Sequence, residues 1–293
     1  MIGKQAQYCA AVPGAPSGLG ATPGNGQVTL AWTAASGATT YRVHRGTVSG
    51  GPYTAIQSNW TGTSFTDTGL TNGTAYYYVV TATNGVGEGP NSNEASATPV
   101  TAPTVVTFTS VATQDGWVLE STETSNAGGS LDSTANTTSA LRVGDDNKDK
   151  QYKSVVSFDT SSIPDGATIL SVTLRLLRGT LSGTSPFTTH GTCWADVQST
   201  GFSGSTTLET GDFQAAATAV QSASLSNAAS NGTWSEGSLN AAGLAAINKT
   251  GTTQLRVYFS LDDNDDTGND YIGYYSGESS TAANRPQLVV TYQ

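Results

Sequence analysis

Carboxylates are concentrated in residues 262–270, a stretch that holds five Asp in nine positions. Oxygen-bearing side chains alternate there at Asp262, Asn264 and Asp266, and Asp270 closes the stretch. A hard cation such as Ca²⁺ takes roughly six to eight oxygen ligands, which flexible turns supply. Because so many carboxylates would repel one another without a counterion, the spacing predicts a calcium-binding loop, and a solvated acidic turn is the alternative.

A second acidic alternation lies at Asp145, Asn147 and Asp149. Neither stretch has the bidentate Glu that ends an EF-hand loop. We expect calcium bound at either place to stiffen a loop rather than to catalyse.

Aromatic rings and basic side chains form a second group of candidate functional residues. A pyranose lays its C–H face on a flat aromatic ring, while flanking side chains bond to its hydroxyl or carboxylate groups. The candidates for such contacts are Trp117, Trp194, Trp234, Tyr271, Tyr274, Lys148, Lys150, Lys153 and Arg142. The three lysines form a positive patch in an acidic chain, which favours an acidic glycan. Core positions are the alternative for most of the aromatic residues, since Trp and Tyr are mostly at least partly buried.

Catalytic groups are sparse. The histidines are His44 and His190, and no nucleophile-elbow sequence accompanies His190 and Cys193. Paired carboxylates for glycoside cleavage are available at Glu120, Glu209, Glu236 and Glu278. We expect a non-catalytic protein, with a glycan hydrolase or lyase as an open alternative.

The two cysteines, Cys9 and Cys193, are too few for a disulfide framework or a thiolate zinc site. Two interpretations stay open. They are unrelated thiols, or Cys9 bridges to Cys193 or to a neighbouring subunit in an oxidising environment.

Composition excludes several classes of partner. The 293 residues include 12 Lys and Arg against 22 Asp and Glu, a net charge of −10, which disfavours nucleic acid. No apolar run reaches the roughly 20 residues that cross a bilayer, so we expect no membrane insertion. The first residues lack the apolar segment of a secretory signal. Only 12% of residues are charged and 34 are Gly, which is typical of short strands and many turns.

Apolar and polar residues alternate with a period of two in several runs of residues 12–98, which predicts strands there. Residues 27–32 place Val28, Leu30 and Trp32 on one face, and further strands are predicted at 41–45 and 76–82. Turn residues separate these runs at intervals that suit a sandwich over residues 12–98.

Several of these residues carry a resemblance to a known family. Pro16, Trp32, Tyr41, the run 70–76 and the residues Val80, Ala82, Asn84 and Gly87 resemble a fibronectin type III domain. The resemblance implies a seven-strand sandwich with Tyr76 as the tyrosine corner, and a spacer role.

A flexible N-terminal arm is predicted at residues 1–11, and a Pro-bounded linker at 99–106. Within residues 107–293, strands are predicted at 116–120, 140–144, 152–158, 168–177, 192–197, 254–261, 271–275 and 287–292. A helix is expected at 239–247, and a shorter helical turn at 212–217. Alternation lets only one of Tyr274 and Tyr275 face the core. This pattern predicts an all-β chain in which a jelly-roll β-sandwich with one short helix follows the first domain.

A second resemblance covers almost all of this region. Three pairs of stretches, 141–144 with 154–159, 161–168 with 172–176, and 274–278 with 284–292, are similar to the DNRLRE, or disaggregatase-related, domains. That resemblance implies a relationship to carbohydrate-binding modules that recognise acidic polysaccharides.

Taken together, the sequence favours an extracellular or surface-displayed polysaccharide-binding or adhesion protein, stabilised by calcium. A structural subunit of a virion or extracellular filament, in contact with copies of itself, is the alternative from another class. Cys9 on a free arm suits such a subunit.

Overall fold

The computed structural model describes residues 11–134, 136–262 and 268–293, and the described chain is almost entirely β. The chain separates into two compact units, residues 1–102 and 103–293. Their boundary falls within the linker predicted at 99–106. Residues 1–10 of the predicted arm, which include Cys9, lie outside the described residues. Asn264 and Asp266 also lie outside them.

In the part of the first unit that the structure describes, eight antiparallel strands form two sheets. The strands are β1 (Ser17–Gly24), β2 (Gln27–Thr33), β3 (Thr40–Gly46), β4 (Thr54–Trp60), β5 (Ser64–Thr68), β6 (Tyr76–Thr83), β7 (Glu88–Asn91) and β8 (Ala95–Ala97). One sheet has the order β1-β2-β5 and the other β4-β3-β6-β7, with β8 also paired to β6.

The alternating positions predicted on β2 and β6 form the core between these sheets. Val28, Leu30 and Trp32 are buried on β2, while the residues between them are exposed. Trp32 packs edge to face on Tyr41, with ring centres 5.5 Å apart. The backbone N–H of Thr71 donates to the Tyr76 hydroxyl at 3.2 Å, which is the tyrosine corner that the resemblance implied.

The second unit is built on one curled sheet of twelve described strands. These are β9 (Thr104–Thr109), β10 (Gly116–Glu120), β11 (Gly128–Asp132), β12 (Leu141–Asp145), β13 (Gln151–Asp159), β14 (Ile169–Ser182), β15 (Cys193–Gln198), β16 (Ala219–Ser224), β17 (Trp234–Ser238), β18 (Thr252–Phe259), β19 (Tyr271–Tyr274) and β20 (Gln287–Tyr292). The main order is β16-β15-β18-β13-β12-β19-β14-β20-β9, with β10 on β13, β11 on β10 and β17 on β14. The long strand β14 pairs with β20 and β17 through its first part and with β19 through its last part.

The inward positions of these strands form one large apolar core that includes Phe158, Leu174, Cys193 and Tyr274. Tyr275 is half-buried, so the predicted division between Tyr274 and Tyr275 is confirmed. A smaller cluster around Phe202 and Phe213 packs on Val118 and Val155.

Helices are short. The described part of the chain contains α1 (Pro186–Thr189) and α2 (Ala241–Ala245), and α2 lies within the helix predicted at 239–247. The turn predicted at 212–217 is instead a 3-10 turn over Thr210–Phe213. No helix among the described residues has both the length and the apolar character needed to cross a bilayer.

Candidate functional site

A half-exposed arginine surrounded by aromatic rings is the most distinctive surface feature of the second unit. The guanidinium carbon of Arg142 lies 5.3 Å from the ring centre of Trp117, 5.5 Å from that of Tyr152 and 5.1 Å from that of Tyr271. Trp117 and Tyr271 are also partly exposed, whereas Tyr152 is buried between them. We call these four residues the Arg142 cluster.

Strand pairing brings the cluster together. The four residues lie on four different strands: Trp117 on β10, Tyr152 on β13, Arg142 on β12 and Tyr271 on β19. These strands are neighbours in the order β10, β13, β12 and β19, because β13 pairs with both β10 and β12, and β12 pairs with β19. Gly144 faces Tyr152 on one neighbouring strand and Tyr271 on the other. A Cβ on Gly144 would lie 2.0 Å from the carbonyl oxygen of Asp270, so only glycine lets β12 and β19 approach this closely.

Arg142 carries its charge at this surface without an acidic partner among the residues that the structure describes. Its Nη1 donates to the Tyr152 hydroxyl at 3.3 Å, and its Nε donates to the Ser139 carbonyl at 3.4 Å. Burial raises the pKa of Tyr152, so that hydroxyl stays protonated. The arrangement offers flat rings for apolar contact and a planar cation that can pair with a carboxylate or hydroxyl groups.

Three residues of this cluster were predicted as ligand contacts, namely Trp117, Arg142 and Tyr271. Tyr152 was missed as a contact, although it opens a strand that was predicted. The signal that identifies it is the short hairpin between β12 and β13, which sets Tyr152 opposite Gly144.

The other predicted aromatic residues lie elsewhere. Trp194 is half-buried on β15, opposite Tyr258 on β18. Trp234 begins β17 and lies against the Arg175 guanidinium. The prediction that Tyr274 contacts a ligand was wrong. Tyr274 is fully buried, and its hydroxyl shares a hydrogen bond of 3.1 Å with Ser235, so it is a core residue.

The predicted lysine patch is divided. Lys148 is exposed and Lys150 half-buried in the turn between β12 and β13, where the Asp146 carboxylate accepts both of their backbone N–H groups. The structure also corrects the prediction that Lys153 contacts a ligand. Its Nζ lies 3.9 Å from the ring centre of Phe213 and donates to the Phe213 carbonyl at 3.4 Å, and burial lowers its pKa to about 8. Lys153 therefore supports the chain around Phe213 instead of reaching a ligand.

The two acidic stretches, predicted separately, converge at the paired ends of β12 and β19. The Asp145 N–H donates to the Asp270 carbonyl at 3.0 Å, and the Asp270 N–H donates to Asp145 Oδ1 at 2.9 Å. Asn147 contributes a further bond, from its N–H to Asn269 Oδ1 at 3.1 Å. Asp145 Oδ2 lies 3.3 Å from Nε2 of His190, and both side chains are fully buried.

These contacts do not form a metal centre within the described residues, where no group of three or more His, Cys, Asp or Glu could hold a metal ion. Asp149 lies in the β12–β13 turn with φ of 55°, and Asp262 follows β18. Asn264 and Asp266 lie outside the described residues. Calcium binding stays a prediction.

Cys193 is a free and fully buried thiol in the large core, and burial raises its pKa. A bridge to Cys9 or to another subunit would require this part of the core to open.

The glutamates considered for glycoside cleavage each have separate local partners. Glu120 accepts from the Asn126 N–H, Glu209 joins a capping box at the Thr210–Phe213 turn, Glu236 binds Arg175, and Glu278 accepts from Ser276. Of the histidines, His44 lies 3.5 Å from Glu88 in the first unit.

Comparison with known proteins identifies relatives of the first unit. A family model described as a fibronectin type III domain matches residues 14–98. An amylopullulanase of Thermoanaerobacterium saccharolyticum is 45% identical over 91 residues, and one of Thermoanaerobacterium thermosulfurigenes is 46% identical over 88 residues. These matches cover 31% and 30% of this chain but only 7% and 5% of the two relatives.

Among solved structures, a Fn3-like protein from Clostridium thermocellum is 47% identical, with 29% of this chain and 92% of that chain covered and a TM-score of 0.28. The residues that the family model matches include both sheets of the first unit. Through residues 14–98, the chain belongs to the fibronectin type III family.

Proposed function

We propose that this chain is a non-catalytic, extracellular glycan-binding protein in which the second unit holds an acidic polysaccharide at the Arg142 cluster. The first unit acts as a spacer. The second unit is a carbohydrate-binding domain of the DNRLRE type, as the resemblance of its strand segments implied.

The observation that carries this proposal is the partly exposed Arg142, whose guanidinium lies among three aromatic rings. A cation that is held in place by rings, yet has no carboxylate partner among the described residues, is preorganised to pair with a carboxylate that a ligand brings. Trp117 and Tyr271 are the rings with exposed surface, and they can pack on the C–H face of the sugar that carries this carboxylate.

The relatives of the first unit support the glycan context. Amylopullulanases are glycan-active enzymes, and their segments that match this chain are small parts of long proteins. A domain shared in this way acts as an accessory to the glycan-active parts and not as their catalyst. The same relatives favour an extracellular location, and they give no support to the virion alternative.

The test is native affinity electrophoresis of the full chain in gels that contain polygalacturonate. We expect the wild-type protein to be retarded, and Trp117→Ala and Arg142→Ala to weaken binding by about tenfold, as truncation of a central aromatic or arginine contact does. Trp60→Ala is the matched control, since it removes a half-buried Trp from the first unit. Thermal melts of each variant identify any loss of fold.

Two results would contradict the proposal. One is wild-type protein that migrates unretarded in gels of polygalacturonate, alginate and hyaluronate. The other is retardation that Trp117→Ala and Arg142→Ala leave unchanged.

A further inference from the structure

A second aromatic surface lies on different strands from the Arg142 cluster. Arg175 on β14 is directly opposite Glu236 on β17 and Gln287 on β20, so these three residues form one row across three adjacent strands. Trp234 begins β17 and lies opposite Leu177, in the next row on the same face. We call Trp234, Arg175, Glu236 and Gln287 the Trp234 row.

Contacts within the Trp234 row fix its geometry. Arg175 Nε donates to Glu236 Oε1 at 2.7 Å, and Arg175 Nη1 donates to Gln287 Oε1 at 2.8 Å. The Arg175 guanidinium carbon lies 4.6 Å from the ring centre of Trp234. The side chains of Arg175 and Glu236 nevertheless keep 30% and 45% of their surface exposed, and Trp234 is also partly exposed.

The face that carries this row is polar. Leu174 and Leu288, which alternate with the residues of the row, are fully buried in the core, so the row points away from it. In the neighbouring row, the hydroxyls of Thr173 and Ser238 lie 3.2 Å apart. Further along the same sheet, Thr107 and Thr109 are exposed on β9, opposite Val289 and Gln287.

The charge of the Trp234 row differs from that of the Arg142 cluster. Arg175 is neutralised by Glu236, whereas Arg142 has no acidic partner in the described part of the chain. A neutral group of donors and acceptors beside a partly exposed Trp ring matches an uncharged pyranose, whose hydroxyls both donate and accept hydrogen bonds. A carboxylate would gain little from Arg175, because it would compete with Glu236 for the guanidinium.

We propose that the Trp234 row is a second glycan-binding surface, which takes a neutral hexose or pentose polymer. This inference extends the proposed glycan-binding function to a separate face with a different ligand class. A chain with both surfaces engages two polysaccharides at once, or one mixed polymer at two points, and it gains avidity from their linkage.

The experiment uses the full chain in native gels that contain one soluble neutral polysaccharide each, namely amylopectin, galactomannan and xyloglucan, with polygalacturonate as the acidic comparison. We expect at least one neutral polymer to retard the wild-type protein. Trp234→Ala and the milder Gln287→Ala should weaken that binding, by about tenfold for Trp234→Ala, and leave retardation by polygalacturonate unchanged. Trp60→Ala is again the matched control.

Arg142→Ala separates the two surfaces, because it should reduce retardation by polygalacturonate and leave neutral binding intact. Absence of retardation by every neutral polymer would overturn the inference, and so would retardation that both Trp234→Ala and Gln287→Ala leave at the wild-type level. In either case the Trp234 row is a structural ion pair and stack only. Failure of polygalacturonate alone would instead contradict the Arg142 cluster and leave this surface standing.

Discussion

Tyr152 and Tyr271 meet edge to face across Gly144, with ring centres 5.7 Å apart and ring planes inclined by 69°. The two tyrosines lie on strands that both pair with β12, and each of them is opposite Gly144. Backbone geometry therefore positions two of the three rings around Arg142.

Gly144→Ala is expected to destabilise the second unit. The φ angle of Gly144 is +130°, which an L-residue rarely adopts, and the new Cβ would lie 2.0 Å from the Asp270 carbonyl oxygen. We expect a loss of about 2 kcal/mol or more in the free energy of unfolding, measured by urea denaturation. Gly166→Ala is the control, because no atom lies within 4 Å of its added Cβ. Equal stability of the two variants would show that the β12–β19 approach is not constrained in this way.

Asp115 is expected to make the stability of the second unit fall as the pH rises from about 4 to 7. Its carboxylate is fully buried and accepts from the N–H groups of Ser157 at 3.0 Å and Gly277 at 2.9 Å. Burial outweighs these bonds and raises the pKa of Asp115 to about 7. At pH values between the pKa of Asp115 in the unfolded state and its pKa in the folded state, the folded protein keeps a proton on Asp115 that the unfolded protein has lost. The stabilising contribution is therefore complete below pH of about 4 and is lost as the pH rises through 7.

The comparison for Asp115 is Asp115→Asn, which cannot titrate. The linked free energy is on the order of 4 kcal/mol over this range, so the stability of the wild type should fall relative to that of the variant as the pH rises. Urea denaturation at four values between pH 4 and 8 measures this. Parallel pH profiles for the two proteins would exclude Asp115 as the group responsible.

Tyr76→Phe should destabilise the first unit by about 1 kcal/mol, because the Thr71 N–H loses the hydroxyl to which it donates. Tyr77→Phe is the matched control, since Tyr77 is the half-buried neighbour on the same strand. Differential scanning calorimetry follows the unfolding of the unit. If both variants melt at the same temperature, the corner hydrogen bond makes no net contribution.

The Cys193 thiol should resist alkylation in the folded protein. It is fully buried, and its raised pKa keeps it protonated at neutral pH. Iodoacetamide treatment followed by mass spectrometry is expected to label this position only after unfolding in urea. A disulfide at Cys193 in the native protein, or rapid labelling without denaturant, would contradict the core position of this thiol.

Most strands of the second unit were predictable from runs rich in strand-forming residues, and on β18 the inward residues Leu255, Val257 and Phe259 alternate with Gln254, Arg256 and Tyr258. Strand β9 was assigned in part to the linker, since it begins directly after Pro103. Strands β16 and β17 were missed because AVQSAS and WSEGS contain small and polar residues with little contrast between the two faces.

The Arg142 cluster was only partly predictable. Residue types identified Trp117, Arg142 and Tyr271, but their meeting depends on β12 lying between β13 and β19, a pairing of segments far apart in sequence. The alternation of side chains along β19 gives one further indication about which tyrosines can share a ligand. Tyr271 and Tyr274 are three positions apart on a strand, so they point to opposite faces and could not both contact the same ligand.

The pairing of β9 with β20 has a consequence for biosynthesis. Thr104 lies opposite Tyr292, so β9 gains its partner only after the other described strands of the second unit have been synthesised. Strand β14 also receives its β20 neighbour only then. The described strands of the first unit all lie between Ser17 and Ala97, so that unit can fold on the ribosome while the second still exposes apolar strand faces. We therefore expect the second unit to complete its sheet later in synthesis than the first.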